Sequence, residues 1–137
     1  MEHDANVFIA TPEEHDSAMS VVQGLMHFSE LVIAETLNSM DTDHEDTDQY
    51  STPIHRIVTD LTARMLNQQP ELYHSIQTEN PRNDEMREKF QEAAENMAEL
   101  IGSDDFDDQF TELGEQFDLE SSQERSDELI EFMTRKN

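Results

Sequence analysis

The sequence predicts an all-α protein, a bundle of five or six helices arranged around one long central helix. Apolar residues recur at helical spacing along nearly the whole chain, as expected for helices that each bury one face. Each of the four prolines stands where a helix would begin, a position at which the missing N–H costs nothing. A chain of 137 residues is long enough for one domain with a modest core.

The central helix is predicted to run from Pro12 to about Met40. Thr11 and Glu14 match a capping box around the proline. The apolar positions form a stripe wide enough to be contacted from several sides, and this predicts a dimer with a large apolar interface. Gly24 costs about 1 kcal/mol relative to alanine in a helix interior. It therefore predicts close approach of another backbone or a ligand at that point.

Shorter helices are predicted after a polar loop at residues 41–50. They run from Pro53 to about Leu66, from Pro70 through Ile76, from Asn80-Pro81 to Ile101, from Phe106 to about Leu119, and from about Ser122 onwards. Residues 6–10, NVFIA, form a short apolar run that would need other strands to pair with. This run is predicted to be the last strand of a preceding domain, so that residues 1–10 end that domain and residues 11–137 form the helical domain.

The net charge of the chain is −25, from 33 acidic and 8 basic residues. The acids are spread along the chain, which predicts a folded protein whose self-repulsion is screened by salt. We interpret this composition as that of a cytoplasmic protein from a salt-accumulating halophile. Nucleic acids and anionic membranes are unfavourable partners for such a surface.

Residue types exclude several kinds of site. The chain has no cysteine, which excludes disulfides and thiolate metal sites. No run approaches the roughly 18 apolar residues of a membrane span, and no signal peptide is visible. The acidic loop resembles a calcium loop but has Asp46 where glycine is required and Thr52 where a bidentate glutamate is required. The sequence therefore predicts no metal site, and it shows no phosphate-binding glycine-rich loop or nucleophile triad.

Two side chains are candidates for ligand binding. Arg64 follows Ile57 by seven residues and Leu61 by three, so it projects from the apolar face of its helix. A cation in that position needs either an anionic partner in the chain or a ligand. His27 lies on the central helix, where it could be a hydrogen-bonded core histidine or a ligand group.

Three segments in this order resemble the C-terminal helical domain of the prephenate dehydrogenase family of tyrosine biosynthesis. They are EHD at residues 14–16 with Met19 and QGLMHF at 23–28, STPIHR at 51–56 with ARML at 63–66, and PELYHSI at 70–76. The first is similar to an EHD…M…QxLxHF signature of the family. The resemblance covers nearly the whole chain from about Val7.

The resemblance implies a domain that forms an interlocked homodimer and helps to bind prephenate in a cleft beside a Rossmann domain. By position, Arg64 resembles the arginine that binds a prephenate carboxylate, and His27 resembles the cleft histidine that orients the substrate. The family oxidatively decarboxylates prephenate to 4-hydroxyphenylpyruvate with NAD or NADP. The residues that bind the dinucleotide and transfer hydride belong to a Rossmann domain absent from this chain, with residues 1–10 as its end. The chain alone is therefore expected to contain no catalytic residue and to be inactive.

Two other functions remain open at this point. One is a freestanding helical dimerisation or regulatory module without catalytic activity. The other is a helical chorismate mutase, which would need several converging cations around its dianionic substrate. Of the 8 basic residues, Arg64 alone is well placed for that purpose, so the mutase ranks last.

Overall fold

The computed structural model describes residues 9–41 and 43–135, and these residues form helices and no strand. The prediction of an all-α fold is therefore confirmed. A continuous helix, Pro12–Ser39, comprises α1 (Pro12–Met19), a π-helical segment (Ser20–Leu25) and α2 (Met26–Ser39). It is followed by α3 (His44–Asp48), α4 (Pro53–Leu66), α5 (Pro70–Glu79), α6 (Arg82–Leu100), α7 (Phe106–Gly114) and α8 (Leu119–Arg135).

The central helix begins and ends as predicted. The Glu14 N–H donates to the Thr11 hydroxyl at 3.1 Å, and the Thr11 N–H donates to Glu14 Oε1 at 2.8 Å, which completes the capping box. The hydrogen bond from the Thr11 backbone, followed by the one from its side chain, holds the pKa of Glu14 below its ordinary value. Helical geometry stops at Ser39, and Met40 is already extended.

Two later boundaries differ from prediction because an aspartate caps a helix start at each of them. Asp43 caps the one-turn helix α3 inside the predicted loop by accepting from the Glu45 N–H at 2.9 Å. α7 ends at Gly114 and not near Leu119, which instead begins α8. Asp118 sets that start, because its carboxylate accepts from the Ser121 N–H and hydroxyl at 3.2 and 2.9 Å. These bonds, the backbone one first, lower the pKa of Asp118.

The other helices pack around the central one in two groups. The π segment contacts α5 and α6, which also contact each other, whereas α2 contacts α4. α4 in turn contacts α8. The central helix therefore has one set of neighbours along its π segment and another along its C-terminal half.

Apart from Met65, which apolar spacing placed on the inward face of α4, the predicted apolar positions are not the fully buried ones. Among the described residues, Met65 is the one large apolar side chain that is almost wholly buried, at 5% exposed. The predicted stripe of the central helix remains largely in solvent, with Val22 at 66% exposed, and Leu61 on α4 is also exposed. The reason is that apolar spacing marks a face to be covered but does not specify what covers it, and here the neighbouring helices of the same chain leave it open.

The accessible surface is accordingly large. It measures 11376 Å², whereas a compact monomer with a mass of 15.9 kDa exposes about 7,400 Å². The helix Pro12–Ser39 is also apolar and long enough to cross a membrane, with a hydropathy of 1.2 over its most apolar 18 residues. One such helix near the N-terminus is weak evidence for a span, because core helices of soluble domains meet the same criteria.

The predicted N-terminal strand lies mostly outside the described residues. Positions 6–8 are not described, and Ile9 and Ala10 are exposed and have no regular secondary structure. The assignment of residues 1–10 to the end of a preceding domain therefore stays a prediction.

Candidate functional site

A pocket of about 340 Å³ lies between α2, the end of α4 and α5. Its lining is mainly apolar, with amide and imidazole groups among the apolar side chains: Leu31, Met65, Leu66, Gln68, Pro70, Tyr73, His74 and Gln77. A pocket of this size and lining is typical of small-ligand sites, in which a few polar groups orient an apolar body.

His27 lies beside this pocket, against one of its lining residues. The imidazole meets the Tyr73 ring edge to face, with centroids 4.9 Å apart and planes at 76°. The ring is half-buried, and its Nδ1 atom is buried without a hydrogen-bond partner among the described residues. The prediction of a hydrogen-bonded core histidine therefore does not describe this nitrogen, whose hydrogen-bonding capacity is unused.

Arg64 occupies the last turn of α4, immediately before the pocket residues Met65 and Leu66. Its side chain is exposed, and no described residue forms an ion pair or hydrogen bond with the guanidinium. A cation at a helix C-terminus is also favoured by the helix dipole, by about 0.3–1 kcal/mol. Arg64 is thus available for an anionic ligand, with the dipole as its one evident structural role.

Neither predicted residue lines the pocket. Arg64 adjoins the pocket through its sequence neighbours on α4, and His27 adjoins it through Tyr73 on α5. His74, for which the sequence offered no partner, lines the pocket directly. Its place in the PELYHSI segment, residues 70–76, was the available signal for it.

A set of amide side chains that sequence reasoning missed, two of them buried and one half-buried, anchors α5 and α6 to the central helix. We call Gln77, Asn80 and Asn83 the amide clasp. Asn80 Nδ2 donates to the Asp16 carbonyl at 2.8 Å. Asn83 Oδ1 accepts from the Ser20 hydroxyl at 2.8 Å.

The third member of the clasp, Gln77, donates from Nε2 to the Gly24 carbonyl at 3.0 Å. The three contact points on the central helix, residues 16, 20 and 24, are four residues apart and lie in one row. Gln77 also lines the pocket, so the clasp and the pocket share α5.

The clasp explains Gly24. A Cβ at this position would lie 3.0 Å from Asn83 Cγ and would collide with Asn83 Oδ1. Another group does approach Gly24 closely, but the prediction that it would be a backbone or a ligand is wrong, because it is the Asn83 side chain. Asn83 is 1% exposed and also donates to the Ile76 carbonyl at 2.9 Å, so its side chain cannot move away from an added Cβ without losing this packing and hydrogen bond.

The clasp is closed on its outer side by an arginine of α6. Arg87 Nη1 donates to the Gln77 carbonyl and to Gln77 Oε1, both at 3.0 Å. Its Nη2 forms an ion pair with Asp84 at 2.6 Å. Gln77 therefore uses its carbonyl, side-chain oxygen and side-chain nitrogen, which leaves it a fixed orientation.

The described residues do not bring together three histidine, aspartate or glutamate side chains that could hold a metal ion. They also do not fit a dinucleotide. The glycines, Gly24, Gly102 and Gly114, lie within or at the ends of helices, whereas a dinucleotide site needs a glycine-rich turn between a strand and a helix.

Comparison with known proteins gives two matches. The family model for the dimerization domain of prephenate dehydrogenase matches residues 11–118. A probable arogenate/prephenate dehydrogenase from Methanocaldococcus jannaschii is 33% identical over 101 residues. That alignment covers 74% of this chain and 23% of the relative, so the chain spans less than a quarter of the length of that protein.

Proposed function

The chain belongs to the prephenate dehydrogenase family as its dimerization domain, and we propose that it forms the homodimer and binds part of the substrate in an NAD(P)-dependent prephenate or arogenate dehydrogenase. The match over residues 11–118 is the observation that carries the proposal. In the proposed enzyme, this cytoplasmic domain works beside a second domain that holds the dinucleotide. The chemistry supplied there is the oxidative decarboxylation of the substrate.

The exposed apolar surface supports the homodimer. The chain exposes about half again as much area as a compact monomer of its mass, and its exposed residues include many large apolar side chains. Stable dimers of small proteins bury about 800 Å² or more on each partner, and obligate ones bury considerably more. The excess is large enough for such an interface. An interlocked arrangement, in which helices of the two copies alternate, would cover faces on several helices at once.

The surroundings of Arg64 support a role in binding a substrate carboxylate. A guanidinium presents two parallel N–H donors that match the two oxygens of a carboxylate. Arg64 is exposed, is not committed to a described acid, and adjoins an apolar pocket that suits a six-membered carbon ring. His27, with one unused nitrogen, would orient the substrate from its position against the pocket residue Tyr73.

The test is a comparison of arginine variants in the enzyme that contains this domain. Arg64→Ala should lower kcat/KM for prephenate by the equivalent of about 2–4 kcal/mol, mainly through KM, because a charge-assisted bidentate contact is lost. Arg64→Lys should recover part of the loss, since it keeps the charge but not the planar fork. The unfolding midpoint should stay near that of wild type, because no described contact is removed.

Arg56→Ala is the matched control, since Arg56 is an exposed arginine on the same helix, eight residues earlier. It should leave KM unchanged. If Arg64→Ala instead lowers the unfolding midpoint and leaves KM near wild type, Arg64 is a structural cation at the helix end. A dimeric protein that binds no prephenate would favour the freestanding dimerisation module.

A further inference from the structure

A groove separate from the pocket runs between the first half of the central helix and α6. Its volume is about 450 Å³, and its floor is apolar, formed mainly by Val21, Leu25, Met86, Phe90 and Ala93. Val21 is more than half exposed, so the floor is open to solvent in the single chain. Exposure of this apolar floor to water is unfavourable, and covering it with another apolar surface would be favourable.

Charges at the rim of this groove are unusual for the chain. Arg82 and Lys89 both line it, and they are seven residues apart on α6 and therefore on one face. The chain has only 8 basic residues against 33 acidic ones, so two cations at one groove form a local exception to its negative surface. One acid, Glu85, lies between them. The groove thus fits an apolar surface that is flanked by acids.

Helix α7 carries such a surface. Phe106, Phe110 and Leu113 recur at spacings of four and three residues along the helix. Phe110 is 67% exposed, although it is among the largest apolar side chains. The flanking positions are acidic, with Asp107, Asp108 and Glu112 in the same helix.

We propose that α7 of one copy lies in the groove of a second copy, with its apolar stripe on the floor and its acids beside Arg82 and Lys89. This inference rests on the proposed homodimer and identifies two surfaces that form it. The nine residues of α7 span about 14 Å, close to the roughly 16 Å between the ends of the groove on α6. In a two-fold dimer each copy supplies one helix and one groove, so the contact forms twice.

The position of the family match favours α7 over α8 as the occupant. Residues 11–118, which match the dimerization domain, include both the groove and α7. α8 starts at Leu119, beyond the matched residues, and it already contacts α4 of its own chain.

Disulfide cross-linking tests the contact directly, since the chain has no cysteine of its own. The Val21→Cys and Phe110→Cys variants are mixed at molar salt, oxidised and separated without reductant. A covalent dimer should form at least about tenfold faster than in a mixture of Tyr50→Cys with Phe110→Cys. Tyr50 is the control because it is 80% exposed and is not among the residues that line the groove.

Light scattering of the unmodified chain distinguishes failure of the docking of α7 from failure of the homodimer. A dimer mass with cross-linking no faster than the Tyr50 control would overturn docking of α7 in the groove and leave the homodimer standing. A monomer mass at molar salt, where charge repulsion is screened, would overturn the homodimer and the docking together.

Charge exchange provides a second test that needs no covalent bond. Arg82→Glu combined with Lys89→Glu should weaken self-association about tenfold near 0.15 M salt, because like charges then face each other. Mixing this variant with the Asp107→Lys and Asp108→Lys double variant should restore pairing. Arg125→Glu, an exposed charge on α8, is the control. Weakening no larger than that of Arg125→Glu, or no restoration on mixing, would overturn the proposal.

Discussion

The amide clasp and the exposed apolar faces show opposite distributions of polarity. Gln77 and Asn83 are polar and buried, whereas Val22 and Phe110 are apolar and exposed. Folded monomers normally show the reverse, with apolar side chains inside and amides outside. The difference indicates that hydrogen bonds organise the interior of one copy, while much of its hydrophobic surface remains free for contact with another.

The two regions should also contribute differently to the free energy and to the specificity of folding and association. A buried amide stabilises a fold only when its donors and acceptors are satisfied in one geometry, so it specifies orientation more than it adds free energy. An apolar face contributes free energy in proportion to the area covered, with little dependence on orientation. Mutations in the clasp should therefore lower the stability of a single folded copy, and mutations in the apolar faces should weaken association between copies.

The largest effect is expected from Asn83→Ala. The change leaves the buried Ser20 hydroxyl and Ile76 carbonyl without this partner and opens a small cavity. It should lower the free energy of unfolding by about 2–4 kcal/mol in urea titrations at fixed salt.

Asn96→Ala is the control for that experiment, because Asn96 is an exposed asparagine on the same helix. It should change the free energy of unfolding by less than about 0.5 kcal/mol. Equal effects of the two variants would show that the clasp does not stabilise one copy, and the contrast with the apolar faces would disappear.

A smaller loss is expected from Gly24→Ala. Alanine favours a helix by about 1 kcal/mol over glycine, but its Cβ would collide with Asn83, and overpacking of this kind costs about 1–3 kcal/mol. The net result should be destabilisation of up to about 2 kcal/mol in the same titration. Gly102→Ala is the control, because the nearest atom to its added Cβ lies 3.8 Å away. Stabilisation by Gly24→Ala would contradict the observed packing.

Salt should stabilise the chain through its surface and not through the clasp. The net charge of −25 repels itself over a Debye length of about 10 Å at 0.1 M salt and about 3 Å at 1 M. The melting temperature should therefore rise over this range in both wild type and Asn83→Ala. A melting temperature that is flat in salt would contradict the interpretation of the composition as halophilic.

The smallest effect is expected at the first helix cap. Hydrogen bonds from Thr11 lower the pKa of Glu14 in the folded state, so the stabilisation is present above the ordinary pKa of 4.5 and is lost as the pH falls through the folded value. Glu14→Gln should thus be less stable than wild type at pH 7, and the difference should vanish near pH 3. Glu13→Gln is the control, because Glu13 is exposed, lies one residue earlier and is not part of the capping box.

Local signals in the sequence predicted the helices well. Thr11 with Glu14 and Thr52 with Pro53 cap helices as expected, because capping depends on neighbours within four residues. The missed boundaries at Asp43 and Asp118 have equally local causes, which could have been identified from the acid two or three residues before the bonded N–H.

The packing could not be predicted from the same signals. From the sequence, Asn83 is only a polar residue in the first turn of a predicted helix. Nothing local indicates that Ser20, 63 residues earlier, is its hydrogen-bond partner. Arg64 and His27 were identified by pattern and resemblance, but the pocket near which their chain neighbours and contacts lie depends on how α4 and α5 meet the central helix. Their roles in binding substrate remain predictions.

The π segment determines which way the second half of the central helix faces. An α-helix turns 100° per residue, and a π turn accommodates one residue more, so each such turn shifts the rotational phase of everything that follows. Residues before the segment face the clasp, and the π segment itself contacts α5 and α6, whereas α2 contacts α4. Residues 20–25 therefore set the rotational position of α2 relative to α1 about the helix axis. If the same six residues formed regular α-helix, both halves would stay helical but His27 would rotate by about a quarter turn away from Tyr73, so the helix type at residues 20–25 is a determinant of site geometry.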